Sequence, residues 1–147
     1  MAEKSAHAFL KRNGRRWGRW YRVENGGSAG WPDTLFIRNL DGRHVWFELK
    51  ELTFKARCNA WHIRNLRPGQ IGRMRELNHL KTPVFMVLKC RTRYYIVPAL
   101  EVFDHGMLWT DMDLEEHDTQ LHAACVHAES TVARRVQVRD RAAPAPA

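Results

Sequence analysis

Three residues in the first third of the chain, Asp33, Glu48 and Lys50, have types and a spacing that could support metal-assisted chemistry. The segment 44–50 is predicted to be a strand, and the period of two in a strand puts Glu48 and Lys50 on the same face. Asp33 lies at the start of the preceding predicted strand, and the Asp-Gly pair at 41–42 predicts a hairpin that folds this strand back. We therefore expect the two carboxylates and the amine to meet.

Two such carboxylates can share a hard divalent cation, which prefers oxygen ligands. Mg²⁺ or Mn²⁺ held by Asp33 and Glu48 would polarise a phosphate and lower the pKa of a bound water. The backbone carbonyl of Leu49 is a candidate third ligand, and Lys50 would orient the water or stabilise negative charge. The alternative is an ordinary exposed Glu–Lys pair, which is common on protein surfaces.

The charge of the chain favours a polyanionic partner. Lys and Arg total 24 against 16 Asp and Glu, which gives a formal net charge of +8 and a sequence pI of about 9.9. Nucleic acid is the commonest such partner, although an acidic protein would also fit. Two basic segments are candidate DNA-binding regions, and their members are Arg15, Arg16, Arg19, Arg22, Lys55, Arg57, Arg64 and Arg67.

Hydrophobic periodicity and turn signals predict an α/β domain with a central mixed sheet flanked by helices. The expected elements are a helix over the first dozen residues, strands at 20–25, 34–37 and 44–50, a helix from Pro68 to about 80, and strands at 84–88 and 93–97. Residues 51–67 are interpreted as an irregular basic loop. One or two short helices are expected after Pro98, one of them near 114–128.

Length and composition indicate one domain over residues 1–130, followed by a Pro/Ala-rich basic tail at 131–147 that we expect to be disordered. No apolar run is long enough to span a bilayer, and the N-terminus lacks a secretory signal. Three widely spaced cysteines are interpreted as free thiols. We therefore expect a cytoplasmic protein that does not act at a membrane.

At Pro32-Asp33 and Glu48-Leu49-Lys50 the sequence resembles the PD-(D/E)XK nuclease superfamily. The longer string, with Gly30 before Trp31-Pro32 and with Gln70 at the start of the next helix, looks like the VRR-NUC and phage-type branch, which is related to Holliday-junction resolvases. The resemblance covers roughly residues 3–97. It implies a restriction-endonuclease-like fold.

The resemblance also implies roles. Asp33 and Glu48 would be metal ligands, Lys50 the catalytic lysine and Gln70 an accessory catalytic residue. Many members use a further glutamate from the first helix, for which either Glu3 or Glu24 is a candidate here.

The resulting expectation is a Mg²⁺-dependent endodeoxyribonuclease that hydrolyses phosphodiester bonds of DNA. Branched DNA in a phage or prophage context, hence in the cytoplasm of a bacterial host, is the expected setting, and a homodimer is the expected assembly because resolvases cut two strands. The alternative is a nucleic-acid-binding module that keeps the nuclease fold and has no catalytic activity.

Overall fold

A computed structural model describes residues 2–23, 30–106, 108–116 and 121–127. Five helices and seven strands follow one another within these ranges. In chain order they are α1 Ala2–Gly14, β1 Gly18–Arg22, β2 Thr34–Arg38, β3 His44–Lys55, β4 Ala60–Ile63, α2 Pro68–His79, β5 Val84–Cys90, β6 Arg93–Pro98, α3 Ala99–His105, β7 Leu108–Trp109, α4 Asp111–Glu116 and α5 Leu121–His127.

The strands form a seven-stranded mixed sheet in which β3 is the longest member and the centre of the pairing. β1, β2 and β3 pair antiparallel in sequence, and β5 joins the other side of β3 in parallel before pairing antiparallel with β6. β4 pairs with the second half of β3, and the short β7 extends β4. This arrangement confirms the predicted α/β class, with a central mixed sheet and flanking helices.

Both faces of the sheet are covered. On one face, Leu10 of α1 packs with Phe47 and other buried side chains of the strands. On the other face, Met74 and Leu77 of α2 pack against a second apolar cluster that includes Met86 of β5. Because successive side chains of a strand point to opposite faces, β3 contributes to both clusters.

The alternation predicted for β3 is confirmed. Val45, Phe47 and Leu49 belong to the α1 side of the core, so Glu48 and Lys50 belong to the α2 side. The polar pair consequently lies under the N-terminal end of α2, partly shielded from water, and is not an exposed surface pair: the side chains of Lys50 and Glu48 are 9% and 1% exposed.

The prediction of an irregular loop over 51–67 was wrong. β3 continues to Lys55 and turns back into β4, with Leu52 opposite Ile63 in the ladder. Both of these apolar residues are buried, and their alternation with polar neighbours outweighs the basic composition that suggested a loop. Only residues 64–67 form the connection to α2.

One or two short helices were expected after Pro98, and the described residues of this segment contain three, α3, α4 and α5, of which α4 and α5 lie in or beside the expected range 114–128. The segment also contains β7, a strand that was not predicted, which carries the fully buried Trp109 into the core. The three cysteines are free, as expected. The proposed tail at 131–147 lies outside the described residues, and within the described ones no helix combines the length and apolar character needed to cross a bilayer.

Gly30 sets the path of the chain into Asp33. Its φ is +100°, and a Cβ atom there would lie 2.7 Å from the carbonyl oxygen of Gly69 at the start of α2. Only glycine combines this backbone conformation with so close an approach. The Gly30–Gly69 contact therefore anchors the loop that carries Asp33 against the helix that carries Gln70.

A Gly30→Ala substitution is expected to lower the free energy of unfolding by about 2 kcal/mol or more, because it adds backbone strain and a steric clash. Urea denaturation followed by circular dichroism measures this change. Gly42→Ala is the matched control, since Gly42 also has a positive φ, +72°, but a Cβ atom there would have no neighbouring atom within 4 Å. Equal losses for the two variants would contradict the role of the Gly69 contact.

Candidate metal centre and catalytic site

The register of β2 and β3 brings Asp33 opposite Glu48. Thr34 pairs with Phe47 at the end of the antiparallel ladder, so the next residue back on β2 faces the next residue forward on β3. Asp33 immediately precedes β2, which begins at Thr34. Its carboxylate Oδ2 accepts a hydrogen bond of 3.0 Å from the backbone N–H of Leu49. Two acids that are fifteen positions apart in the chain are therefore neighbours in the fold.

Glu48 is a buried carboxylate with incomplete hydrogen bonding. The residue is 1% exposed, its Oε1 lies 3.4 Å from the side-chain nitrogen of Gln70, and its Oε2 has no hydrogen-bond partner among the described residues. Burial, then the negative charge of Asp33 and, for protonated Glu48, a side-chain hydrogen bond with Asp33 raise the pKa of the Glu48 carboxyl to about 9, and Lys50 only partly opposes them. The single positive charge of Lys50 therefore does not balance the negative charges that Asp33 and Glu48 carry when both are ionised.

Lys50 is held by three oxygen atoms. Its Nζ donates hydrogen bonds to the backbone carbonyl of Asn65 at 2.7 Å and to Oε1 of Gln70 at 2.9 Å. It also lies 3.6 Å from Oε1 of Glu48. The amine thus points into the same space as the carboxylates and is not engaged by a remote ion pair.

Gln70 links the lysine, the acid and the helix. Its Oε1 accepts hydrogen bonds from Lys50 and from the backbone N–H of Arg67, the latter at 3.0 Å, which satisfies a donor at the start of α2. Its side-chain nitrogen donates to Glu48. The residue is therefore placed to fix the positions of both charged groups.

A divalent cation fits this donor set. The carboxylates of Asp33 and Glu48 converge, and one buried oxygen of Glu48 accepts no hydrogen bond from the described residues. The raised pKa of Glu48 is expected for a carboxylate whose neighbouring cation is absent. The N–H of Leu49 points to Asp33 and away from β5, and the carbonyl of a strand residue points to the same side as its N–H. That carbonyl consequently faces the gap between β2 and β4, beside Asp33.

A third acid is not visible in the described part of the chain, where no group of three His, Cys, Asp or Glu side chains forms a metal-binding cluster. Of the two candidates, Glu24 lies in the segment 24–29, outside the described residues, and the side chain of Glu3 is likewise not described. The choice between them stays a prediction.

The eight basic residues predicted to contact DNA are all exposed, but they do not all lie near the carboxylates. Lys55 ends β3 five residues beyond Lys50, a distance of roughly 17 Å along an extended strand. Arg57 lies further on, in the turn between β3 and β4. Arg64 and Arg67, in contrast, flank Asn65, whose carbonyl binds Lys50.

The remaining four arginines lie at the β1 edge of the sheet. Arg22 is the nearest of them to the centre, since it pairs with Thr34 and since the next residue, Val23, donates to the carbonyl of Asp33 at 2.8 Å. Arg15 and Arg16 lie in the turn between α1 and β1, and Arg19 lies on β1 itself.

Two contributors to the site were missed at the sequence level. Asn65 adopts a left-handed conformation with φ of +56°, which turns its carbonyl toward Lys50. Asparagine tolerates this conformation better than most residues, so an isolated Asn before a helix is a weak signal for it. Trp31, next to the Pro-Asp pair, packs against the indole of Trp46 and under the guanidinium of Arg73.

Comparison with known proteins gives a fold-level likeness. No family model matches the sequence, and no curated protein matches it either. Among solved structures, the fold is similar to that of a bacterial homing endonuclease, I-Ssp6803I, with a TM-score of 0.49 and 13% sequence identity over 97% of this chain and 93% of that chain. At this level of similarity residue roles do not transfer, and we base the functional assignment on this chain's own side chains.

Proposed function

We propose that this protein is a Mg²⁺- or Mn²⁺-dependent endonuclease that hydrolyses phosphodiester bonds of DNA. The observation that carries the proposal is the convergence of the Asp33 and Glu48 carboxylates beside Lys50, with one buried carboxylate oxygen left without a partner. A purely structural ion pair would satisfy its oxygens and would not place a second acid against the first.

Asp33, Glu48 and the Leu49 carbonyl would hold the cation. When bound, it would offset the charge of the phosphate and lower the pKa of a water nucleophile. Hydrolysis forms a bond from the water oxygen to phosphorus and breaks the bond from phosphorus to one sugar oxygen, and the proton released by the water balances the charge on the departing alkoxide.

The chain's own residues divide the remaining work. Lys50, held by the Asn65 carbonyl and by Gln70, would present its ammonium group to the non-bridging oxygens, where negative charge grows in the transition state. Gln70 fixes the direction of the amine and keeps Glu48 in place. Asp33 is anchored by the N–H of Leu49, the residue next to Glu48, so the two acids would be positioned before substrate binds.

The finer assignments belong to the same proposal. The net charge of +8 and the exposed arginines beside β1 and α2 support DNA as the partner. The VRR-NUC and phage-type branch, branched DNA as substrate and a homodimer are supported by the sequence resemblance alone, and a cytoplasmic location is supported by the three free cysteines. Glu3 or Glu24 would complete the ligand set.

The decisive test incubates purified protein with supercoiled plasmid and with four-way junctions, in Mg²⁺, Mn²⁺ or EDTA. Cleavage is expected only with metal, and Lys50→Ala is expected to lower its rate by about 100-fold or more, because the charge that stabilises the transition state is lost. Lys11→Ala, an exposed lysine on α1, is the matched control and should cut like the wild type. Tight DNA binding without cleavage in any metal would support the non-catalytic alternative and contradict the enzyme.

A further inference from the structure

An open groove of about 450 Å³ lies on the α2 side of the sheet, where the β2–β3 hairpin turn meets the connection from α2 to β5. Its walls are the indoles of Trp31 and Trp46 and the apolar side chain of Leu77. Its rim is formed by the two segments 42–44 and 81–83, which connect β2 to β3 and α2 to β5. The volume falls in the range of sites that hold small organic ligands.

Two chain segments lead from the groove to the candidate catalytic residues. Trp46 lies two positions before Glu48 on β3 and so occupies the same face of the sheet, about 7 Å away along the strand. Trp31 lies two positions before Asp33 in the loop that enters β2. A polymer bound at the metal centre would therefore reach Trp46 within one or two nucleotide units, and Arg43, which lies five positions before Glu48 or roughly 17 Å along the chain, within about three.

The lining combines aromatic surface with positive charge. Arg43, His44 and Lys81 line the groove, and all three residues are exposed. No acidic side chain is among its described lining residues. A ligand that is flat and apolar on its faces and negatively charged at its edge matches this composition, and a nucleotide has both properties.

The aromatic wall is held by contacts with neighbouring side chains. The indoles of Trp31 and Trp46 lie 5.2 Å apart between centroids, tilted by 40°. The guanidinium of Arg73 lies 4.6 Å from the centre of the Trp31 ring, and Arg73 is itself paired with Glu76 at 3.2 Å. A wall held in this way loses little conformational entropy when a ligand binds.

We propose that this groove binds an unpaired nucleotide of the DNA substrate, within about three nucleotides of the phosphate that is cleaved. The base packs on the indoles of Trp31 and Trp46, and the adjoining phosphates lie beside Arg43 and Lys81. A paired base is excluded because its faces are covered by its stacked neighbours in the duplex, whereas an unpaired base has free faces. The inference rests on the proposed function for the identity of the polymer, and it specifies a substrate with an unpaired nucleotide near the cut.

The test measures equilibrium binding in EDTA, so that no cleavage occurs and its outcome is separate from that of the nuclease assay. Fluorescein-labelled single-stranded oligonucleotides and the matching duplex are titrated with wild type and with the Arg43→Gln/Lys81→Gln double variant. Removing two phosphate contacts is expected to weaken single-strand binding by roughly tenfold at low salt and to reduce the salt slope by about 1.4. The affinity for duplex should change by less than about twofold, since the groove is expected to hold no paired base.

The Lys11→Gln/Arg12→Gln variant is the matched control, because it removes the same charge from exposed positions of α1, on the other side of the sheet. It should bind single strands like the wild type. An equal loss in this control would show that only net charge matters, and an equal loss for single strand and duplex would show that the groove contacts a paired backbone. Either result overturns the proposal, as does unchanged binding by the groove variant.

The stacking contribution has its own readout. Trp46→Leu is expected to weaken single-strand binding by about fivefold or more, and Trp46→Phe, which keeps a ring, to weaken it less. Thermal unfolding of both variants identifies any loss that comes from misfolding. If Trp46→Leu and Trp46→Phe are both folded and bind single strands as tightly as the wild type, stacking on this wall is excluded. If cleavage fails in every metal while groove-dependent binding persists, the binding site stands and the proposed nuclease does not.

Discussion

Replacement of Asp33 with asparagine is expected to lower the rate of metal-dependent DNA cleavage by about 1,000-fold, because it weakens the site for the cation. The amide oxygen of asparagine can still accept the hydrogen bond from the Leu49 N–H, so the loop and the β2–β3 register should be retained. What is lost is one of the two negative charges that would bind the cation, and neutral amides are weaker ligands for Mg²⁺ than carboxylates. The expected loss therefore comes from metal binding and not from folding.

Initial rates of plasmid nicking over a series of Mg²⁺ concentrations measure this effect. Asp104→Asn is the matched control, since Asp104 is an exposed aspartate of α3 that belongs neither to the carboxylate pair nor to the groove lining. The control should cut at nearly the wild-type rate. Cleavage by the Asp33 variant at a rate close to that of the wild type would mean that Asp33 is not a metal ligand. It would also contradict the proposal that Asp33 and Glu48 share one cation.

The meeting of Asp33 and Glu48 could be predicted from sequence because it depends on local rules. The Asp-Gly pair predicts the hairpin, and the period of two predicts which side chains share a face. The register itself depends on the loop length: a two-residue loop at 41–42 would put Asp33 opposite Lys50, whereas the observed loop spans 39–42 and puts Glu48 there. Pro68 likewise marks the start of α2, and so placed Gln70 in its first turn. Each of these signals acts over a short stretch of chain.

The parts that could not be predicted depend on contacts between distant segments. The burial of Glu48 requires α2 to pack over β3, and the capture of Lys50 by the Asn65 carbonyl requires a left-handed residue in the connection between β4 and α2. The basic composition of residues 51–67 favoured a loop and not the β3–β4 hairpin that forms there. The hairpin is stabilised by the burial of Leu52 and Ile63, to which the residues at its tip do not contribute. The wall formed by Trp31 and Trp46 similarly exists only once the β2 and β3 ends meet.

Glu48→Gln is expected to abolish cleavage and, at the same time, to stabilise the metal-free protein. Burial and the charge of Asp33 raise the pKa of the folded-state carboxyl to about 9, from an ordinary value of 4.5. Between these two pH values the unfolded chain releases the proton more readily than the folded one, so this group makes the wild type progressively less stable as the pH rises. A glutamine has no proton to lose and can donate from its amide to Asp33.

The gain should therefore depend on pH. Below the ordinary pKa of a glutamate, Glu48 is protonated in both states and the two proteins should differ little, whereas at about pH 8 in EDTA the variant should exceed the wild type by on the order of 2 kcal/mol in free energy of unfolding. Urea denaturation at several pH values measures the difference. Addition of Mn²⁺ at the higher pH should raise the stability of the wild type and leave the variant nearly unchanged, because a bound cation supplies the missing charge. A variant that is less stable than the wild type at this pH would mean that Glu48 does not destabilise the metal-free protein. A variant that is stabilised by Mn²⁺ as much as the wild type would mean that Glu48 is not a ligand.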